Sequence, residues 1–381
     1  MIIPRKPKIL VAAIRCAPGK CATDAQYARM IARSISDAGL FDVTIDAGNT
    51  FGTTPQGEQF DLALVPHGNR HLKHQANRMA FVDARCKNVW CIMSTPLLEY
   101  IIFDRDGYSG GNSLARSPGM LDVDGVIEKN AENTFDHLQR VYISKNRSKY
   151  NQPAPAPSVA VRSASAPFIL ALGQVSGDTA CVFTHFPAST SDTSVGYLKT
   201  WLTALPILDT FGVPVIYKPH PREASCHNAL LNEFLAGPTF LNASVAGEIS
   251  LHDLLRECAG VITINSGAGF EALMHLKPVV TMGAVDYSGA TLNCKSAADI
   301  EAALDYINRP VDEVWLKRYL HAYLARTYPT HGRYTFAKLA GHLLDLPAGA
   351  GVKPIYFLGR HNWDNTRIEH GAKPVSELLA Q

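Results

Sequence analysis

The chain has 381 residues, 46% of them hydrophobic and 18% charged, with a formal net charge of +2. That length exceeds what one hydrophobic core fills, so two globular domains are expected. A charge so close to zero gives no footing for a nucleic-acid partner or for a strongly anionic surface.

The first residues, MIIPRKPKILVAAIRCAPGK, leave only Ile9 to Ile14 unbroken by charge, too short for a signal core or a membrane span. Lys8 to Ile14 reads as a strand. Thr23 to Ala38 follows as an amphipathic helix with Thr23 as its N-cap and Gly39 as its stop. Further strands are expected at Phe41 to Ile45, Leu62 to Pro66 and Asn88 to Met93. Strand and helix alternating at this spacing predict a parallel sheet covered on both faces.

Eight cysteines include no CxxC pair and no zinc-type spacing, and Cys91 sits in the apolar run VWCIMS. Free thiols in a reducing cytoplasm are therefore expected. The short basic cluster Lys145, Arg147 and Lys149 reads as the solvated start of a linker. From 151 to 166 the composition turns to Pro, Ala and Ser, an extended linker. The expected domains are thus 1–150 and 167–350, with 351–381 as a tail that packs back on the first domain.

The second half starts again with a strand at Phe168 to Leu172. It continues with helices at Val195 to Leu208, Ala229 to Phe234 and Ser250 to Cys258, and with strands at Val213 to Tyr217, Gly260 to Ile264 and Pro278 to Met282. A helix is expected to begin near Gly269, and two more cover Val311 to Thr327 and Thr335 to Leu346. The fold class that follows is α/β, two similar domains with a cleft between them.

Three segments of the second half fall at strand ends, where open parallel sheets take ligands. GQVSGDTA (173–180) presents Asp178 in a glycine-flanked turn, as a general base on a hydroxyl or simply as a turn or cap aspartate. YKPHPRE (217–223) holds His220 between two prolines, with Lys218 and Arg222 beside it. Such a ring can donate to a phosphate oxygen, or it can be structural. TINSGAGFE (263–271) runs from a buried strand through a small-residue turn into a helix. Ser266 and the helix-start N–H groups can make an anion site, with Gly267 and Gly269 admitting a ligand to the backbone and Glu271 reaching a ribose diol. Unliganded α/β units carry the same kind of turn.

Taken together, GQVSGDTA, YKPHPRE and DLLRECAGVITINSGAGFEALMHLKPVVTMG resemble the bacterial capsule-polysaccharide synthesis family, over residues 165 to 290. That family includes transferases of Kdo (3-deoxy-manno-octulosonic acid). The resemblance implies a GT-B fold of two Rossmann-type domains and inverting transfer from a CMP-activated sugar to a glycan or glycolipid acceptor. It makes Asp178 the catalytic base and His220 the histidine that steadies the leaving phosphate. Gln174, Lys218, Asn265, Ser266, Gly267, Gly269 and Glu271 would form the nucleotide side. Bacterial sialyltransferases use a similar Asp and His-Pro logic with CMP donors. Where some members are more acidic, this chain has Ser176 and Gly177, so Asp178 is the motif's only carboxylate.

No cofactor or metal is required on this reading, because the single phosphate of CMP can be neutralised by protein donors. Peripheral attachment at the inner face of the membrane stays open, as does the oligomeric state. Asp104-Arg105-Asp106 and Asp122-Val123-Asp124 have the form of a DxD metal motif but read as loop carboxylates, with DRDGYSGG a wall on the acceptor side. A transferase for UDP- or GDP-sugars and a non-catalytic polysaccharide-binding or export protein are the competing expectations.

Overall fold

The computed structural model describes residues 5–13, 21–46, 57–97, 100–155, 167–176, 178–185, 193–222, 226–237, 243–246, 248–329 and 335–345. Residues 156–166 of the expected linker, Gly177, Glu223 and the tail 351–381 lie outside them.

The elements run β1 (Lys8–Ala12), α1 (Cys21–Ser36), β2 (Asp42–Asp46), β3 (Leu62–Pro66), α2 (Ala76–Asp83), β4 (Val89–Ser94) and β5 (Tyr100–Asp104). Then come α3 (Ser113–Arg116), α4 (Glu128–Leu138), β6 (Ile169–Leu172), α5 (Thr193–Thr210), β7 (Val215–Lys218), α6 (Cys226–Leu235) and β8 (Ala243–Val245). The chain goes on through α7 (Leu251–Glu257), β9 (Gly260–Thr263), α8 (Ala268–Met274), β10 (Val279–Thr281) and β11 (Leu292–Asn293). It ends with α9 (Asp299–Ile307), α10 (Glu313–Leu324), β12 (Thr327–Pro329) and α11 (Thr335–Asp345).

Two compact units result: Met1–Ser113 with Leu324–Gln381, and Leu114–Tyr323. In the first, a six-stranded sheet has the order β12-β5-β4-β3-β1-β2. Its strands β2, β1, β3 and β4 are parallel, whereas β5 runs antiparallel to β4 and β12 antiparallel to β5. Alternate residues of β1 face opposite sides, as pleating requires. Ile9 and Val11 join Ile31, Ile35, Trp90, Phe336 and Leu339, while Leu10 and Ala12 join Met79, Val82 and Val65. Gly39, at φ +70°, turns the chain after α1. Because α1 is already helical at Cys21, Thr23 lies inside the helix and is not its cap.

These units differ from the expected spans 1–150 and 167–350. The stretch 114–150 packs in the second unit, and the chain returns to the first after Tyr323. The helix expected over 311–327 stops at Leu324, and Thr327–Pro329 pairs with β5 as an edge strand. Helix α11 then buries Phe336, Leu339 and Leu343 against β1, β3 and β4, each such side chain stabilising by roughly 1.5–3 kcal/mol. Asn88 Nδ2 adds a 2.9 Å bond to the Leu343 carbonyl.

In the second unit the order is β11-β10-β9-β6-β7-β8, parallel throughout. One face of this sheet packs on α5, α6 and α9 through Trp201, Tyr197, Leu205, Tyr217, Leu231 and Ile300. Among the described residues no helix is long and apolar enough to cross a membrane. The described cysteines Cys86, Cys91, Cys181, Cys258 and Cys294 are buried thiols outside any disulfide.

Candidate functional site

In the second sheet the chain leaves β6 toward β7 and β8 on one side, then crosses to β9 and proceeds to β10 and β11 on the other. The loops after β6 and β9 therefore part in opposite directions, which opens a crevice at the carboxyl edge of these neighbouring strands. Thr263 Oγ1 donates to the Leu172 carbonyl at 3.0 Å and holds the two strand ends together. All three sequence segments sit on this edge.

After β6, Gly173 is forced by close approach. A Cβ there would stand 2.6 Å from Tyr217 Oη and within 3.2 Å of the Lys218 carbonyl and the His220 nitrogen. The Gly173 N–H donates to Lys218 O at 2.9 Å, drawing this segment against His220. Asp178 is exposed and caps the short 3₁₀ turn Thr179–Phe183, its Oδ1 accepting from Ala180 N at 2.9 Å. The capping role weighed in the sequence is thus present in the fold.

After β7, Pro219 and Pro221 restrict the backbone around His220. Arg222 N donates to His220 Nδ1 at 3.1 Å. A neutral ring that accepts at Nδ1 carries its proton on Nε2, so His220 is set as an Nε2–H donor. The Tyr150 ring stands edge-on to His220 with centroids 4.8 Å apart, and the Arg222 guanidinium lies 4.7 Å from the same ring. Lys218 gives a hydrogen bond from Nζ to Ile249 O at 2.6 Å, and burial lowers its pKa.

After β9, Asn265 Nδ2 donates to Ala180 O at 2.8 Å and to Ala284 O at 3.3 Å, pinning the loops after β6 and β10. The turn uses its own donors: Ala268 N reaches Ser266 Oγ at 3.4 Å, Gly269 N binds Ser266 O, and Phe270 N binds Gly267 O. The helix start therefore offers fewer N–H groups to a phosphate than its sequence suggests, although the Ser266 hydroxyl still has its own proton to donate. Gly267 has φ −57°, an ordinary helical value. Gly269 is bare because Tyr287 Oη fills the space over its Cα, and that hydroxyl donates to Ser266 O. Close approach at Gly269 thus comes from a tyrosine of the fold.

Glu271 is buried and accepts from Ser148 Oγ at 2.8 Å. Desolvation pushes its pKa up to about 8, partly offset by Ser148 and the charge of Lys149. His252 Nε2 stands 3.7 Å from Glu271 Oε2 but donates to Arg147 O at 2.7 Å, so its Nδ1 accepts from His275 Nε2 at 2.9 Å. Both rings are neutral: burial lowers the pKa of His252, and burial with the neighbouring His252 takes His275 down to about 3.

The sequence read Lys145, Arg147 and Lys149 as the solvated start of a linker; the structure ties the neighbours of Lys149, Ser148 and Tyr150, into the second unit. Residues 146–153 form a strap across the site. Ser250 Oγ donates to Asn146 Oδ1, Leu251 N binds Gln152 Oε1 at 3.0 Å, and Asn146 Nδ2 binds Pro153 O at 2.8 Å. The strap leaves the five-residue π turn Gln139–Ile143 that ends α4, an irregularity often found at functional sites. Burial lowers the pKa of Lys149, while Asp178, Asp286 and Glu271 raise it and Arg222 opposes them. Asp286, buried and holding the Tyr323 hydroxyl at 2.9 Å, is pushed up to about 6 by desolvation. Only the basic and aromatic residue types hinted at the strap, because its partners lie about a hundred residues away.

In the first unit, Asp104 is consumed by its own loop. It accepts from Asp106 N at 2.8 Å, Gly107 N at 3.3 Å, Ser113 N at 3.2 Å and the Ser113 hydroxyl. Asp122 accepts from Gly125 N at 2.9 Å in an exposed turn. Among the described residues, no three or more His, Cys, Asp or Glu are grouped to hold a metal.

Two α/β units, one with an all-parallel sheet in doubly wound order, form a GT-B-like fold. Residues 129–334, more than half of the chain, match the capsule polysaccharide biosynthesis protein family. The chain belongs to that family. Among solved structures it is similar to the Thermosulfurimonas dismutans KpsC beta Kdo 2,4 transferase, at 16% identity over 87% of this chain and 97% of that one, with a TM-score of 0.53. The KpsC beta Kdo 2,7 transferase of the same organism aligns over 84% of this chain and 89% of its own, at 16% identity and a TM-score of 0.48. No curated protein matches by sequence.

Proposed function

We propose that the protein is an inverting glycosyltransferase of capsule-polysaccharide assembly. It moves Kdo or a related acidic sugar from a CMP-activated donor to a glycan or glycolipid acceptor, acting in the cytoplasm or at the inner face of the membrane. Family membership and the fold shared with a Kdo 2,4 transferase support the class. The observation that carries the chemistry is His220, whose Nδ1 accepts a backbone proton, which puts the ring's own proton on Nε2.

In this mechanism Asp178 takes the proton of the acceptor hydroxyl as its oxygen attacks the anomeric carbon. The bond from that carbon to the phosphate oxygen breaks, and its electron pair leaves with CMP. His220 Nε2–H and the Ser266 hydroxyl donate to the departing phosphate, and Lys218 contributes charge. Gln174, Asn265, Gly267, Gly269 and Glu271 shape the nucleotide side. Gln174 Oε1 and Asn265 Oδ1 are buried acceptors with no hydrogen-bond partner among the described residues, and Glu271 Oε2, equally unpartnered among them, is a proton donor while the carboxyl stays protonated. Such groups are costly to bury unless a partner meets them, and the hydroxyls of a ribose and the polar edge of a base would do so. One phosphate can be neutralised by these groups, so neither a metal nor a cofactor enters.

The test is a thermal-shift screen of CMP, CDP, UDP, GDP and ADP, with and without Mg²⁺. Stabilisation by CMP without metal is expected, since a ligand of the folded state raises the melting temperature. A preference for UDP or GDP overturns the donor. Indifference to every nucleotide overturns the transferase in favour of a polysaccharide-binding protein.

A further inference from the structure

The strap carries a lysine, Lys149, that lies outside every motif. Ser148 is tied to Glu271 on the helix after β9, and Tyr150 is packed against His220 after β7. Lys149 lies between these two anchors, so its backbone is fixed across the ends of two strands. A lysine of a solvated linker would have neither neighbour fastened. Its electrostatic surroundings are the site itself: Asp178, Asp286 and Glu271 on one side of the balance, Arg222 on the other. Arg222 is turned over the Tyr150 ring.

We propose that Lys149 binds the anionic group of the donor, holding it against His220 from the strap side. This rests on the reading of the protein as a CMP-sugar transferase. The shared chemistry is an oxyanion, either the phosphate of the nucleotide or the carboxylate of an acidic sugar. A compact ammonium on a flexible stem suits a point contact of this kind. It donates N–H to the anion without giving up a proton, and the acceptor's proton still goes to Asp178. As Asp178 is neutralised and negative charge grows on the leaving oxygen, the field of Lys149 favours the departing group.

The experiment titrates the full-length protein with cytidine, CMP and CMP-Kdo, comparing wild type, Lys149→Met, Lys149→Arg and the exposed control Lys145→Met. Circular dichroism and melting curves confirm that each variant is folded. Loss of one charge-assisted hydrogen bond should weaken binding roughly 10- to 100-fold. Equal weakening for CMP and CMP-Kdo, with cytidine unchanged, assigns Lys149 to the phosphate. Weakening for CMP-Kdo alone assigns it to the sugar carboxylate. Partial rescue by Lys149→Arg, and no effect of Lys145→Met, separate charge from a structural role. Unchanged affinity for both anionic ligands in Lys149→Met overturns the proposal, as does an equal loss for cytidine. If the wild type prefers UDP, the donor reading fails and the same comparison is made with UDP and uridine. If it binds no nucleotide, inorganic phosphate and free Kdo take their place, and failure of both to distinguish wild type from Lys149→Met overturns the inference.

Discussion

Loops at strand ends of the two sheets handle polar groups in opposite ways. In the first unit the loop after β5 is closed on itself. Asp104 takes four donors, and Asn69 is equally spent, with its N–H on Gln75 Oε1 at 2.8 Å, its amide on Tyr108 O at 3.1 Å and its oxygen taking His71 N at 2.9 Å. Gly107 and Gly111 are bare because Asn69 fills the space where their Cβ atoms would stand. In the second unit Gln174, Asn265 and Glu271 each keep a buried oxygen without a partner among the described residues, next to the strap that carries Lys149. A carboxylate or amide whose capacity is filled is architecture. One left partly unfilled at a strand end is where a ligand has something to offer.

The largest effect should come from breaking the closed edge. Asp104→Ala strands the N–H groups of Asp106, Gly107 and Ser113 in a buried loop, and should cost on the order of 4 kcal/mol in urea unfolding. A loss below about 1 kcal/mol would show that the loop rearranges to satisfy itself, and the contrast between the two edges would fail.

A smaller, pH-dependent effect should sharpen the other side of the contrast. Folded Glu271 keeps its proton up to about pH 8, whereas the unfolded chain releases it near its ordinary value of 4.5. Between those values the folded state binds more protons, so the stability Glu271 contributes is complete below about 4.5 and is lost as pH rises through 8. His275 has the opposite sign: held down to about 3, it costs stability as pH falls below 6.5. The Glu271 slope is therefore cleanest between 6.5 and 8, where it amounts to about 2 kcal/mol. Glu271→Gln cannot titrate and should flatten that stretch of a stability-against-pH curve. A wild-type curve already flat there would mean that Glu271 is ionised in the folded state.

The strands and the motif edge were legible because both depend on local signals. Runs such as LALVP and GVIT announce buried parallel strands, and small-residue turns after them announce the carboxyl edge. The strap was not legible, since what fixes Ser148 is Glu271, 123 residues further along the chain. Strand β12 was absorbed into the preceding helical pattern, because Thr327–Pro329 becomes a strand only by pairing with β5. Gly269 was read as admitting a ligand to the backbone, whereas in the fold it is Tyr287 that approaches it closely, and sequence alone cannot tell one from the other. At Asp178 both sequence readings survive, and a stability measurement with an activity measurement tells them apart.

Asp178 uses Oδ1 to cap the turn at Ala180 N. Asparagine caps as well as aspartate, whereas alanine does not. Asp178→Asn should therefore leave stability within a few tenths of a kcal/mol of wild type, and Asp178→Ala should cost about 1 kcal/mol. Neither amide nor methyl can accept the acceptor's proton, so turnover of the CMP-sugar should vanish in both while donor affinity holds. If Asp178→Asn retains turnover and only Asp178→Ala loses it, the side chain serves the turn alone. The base must then be sought among the other carboxylates facing Lys149, with Asp286, poised at about 6, as the next to replace.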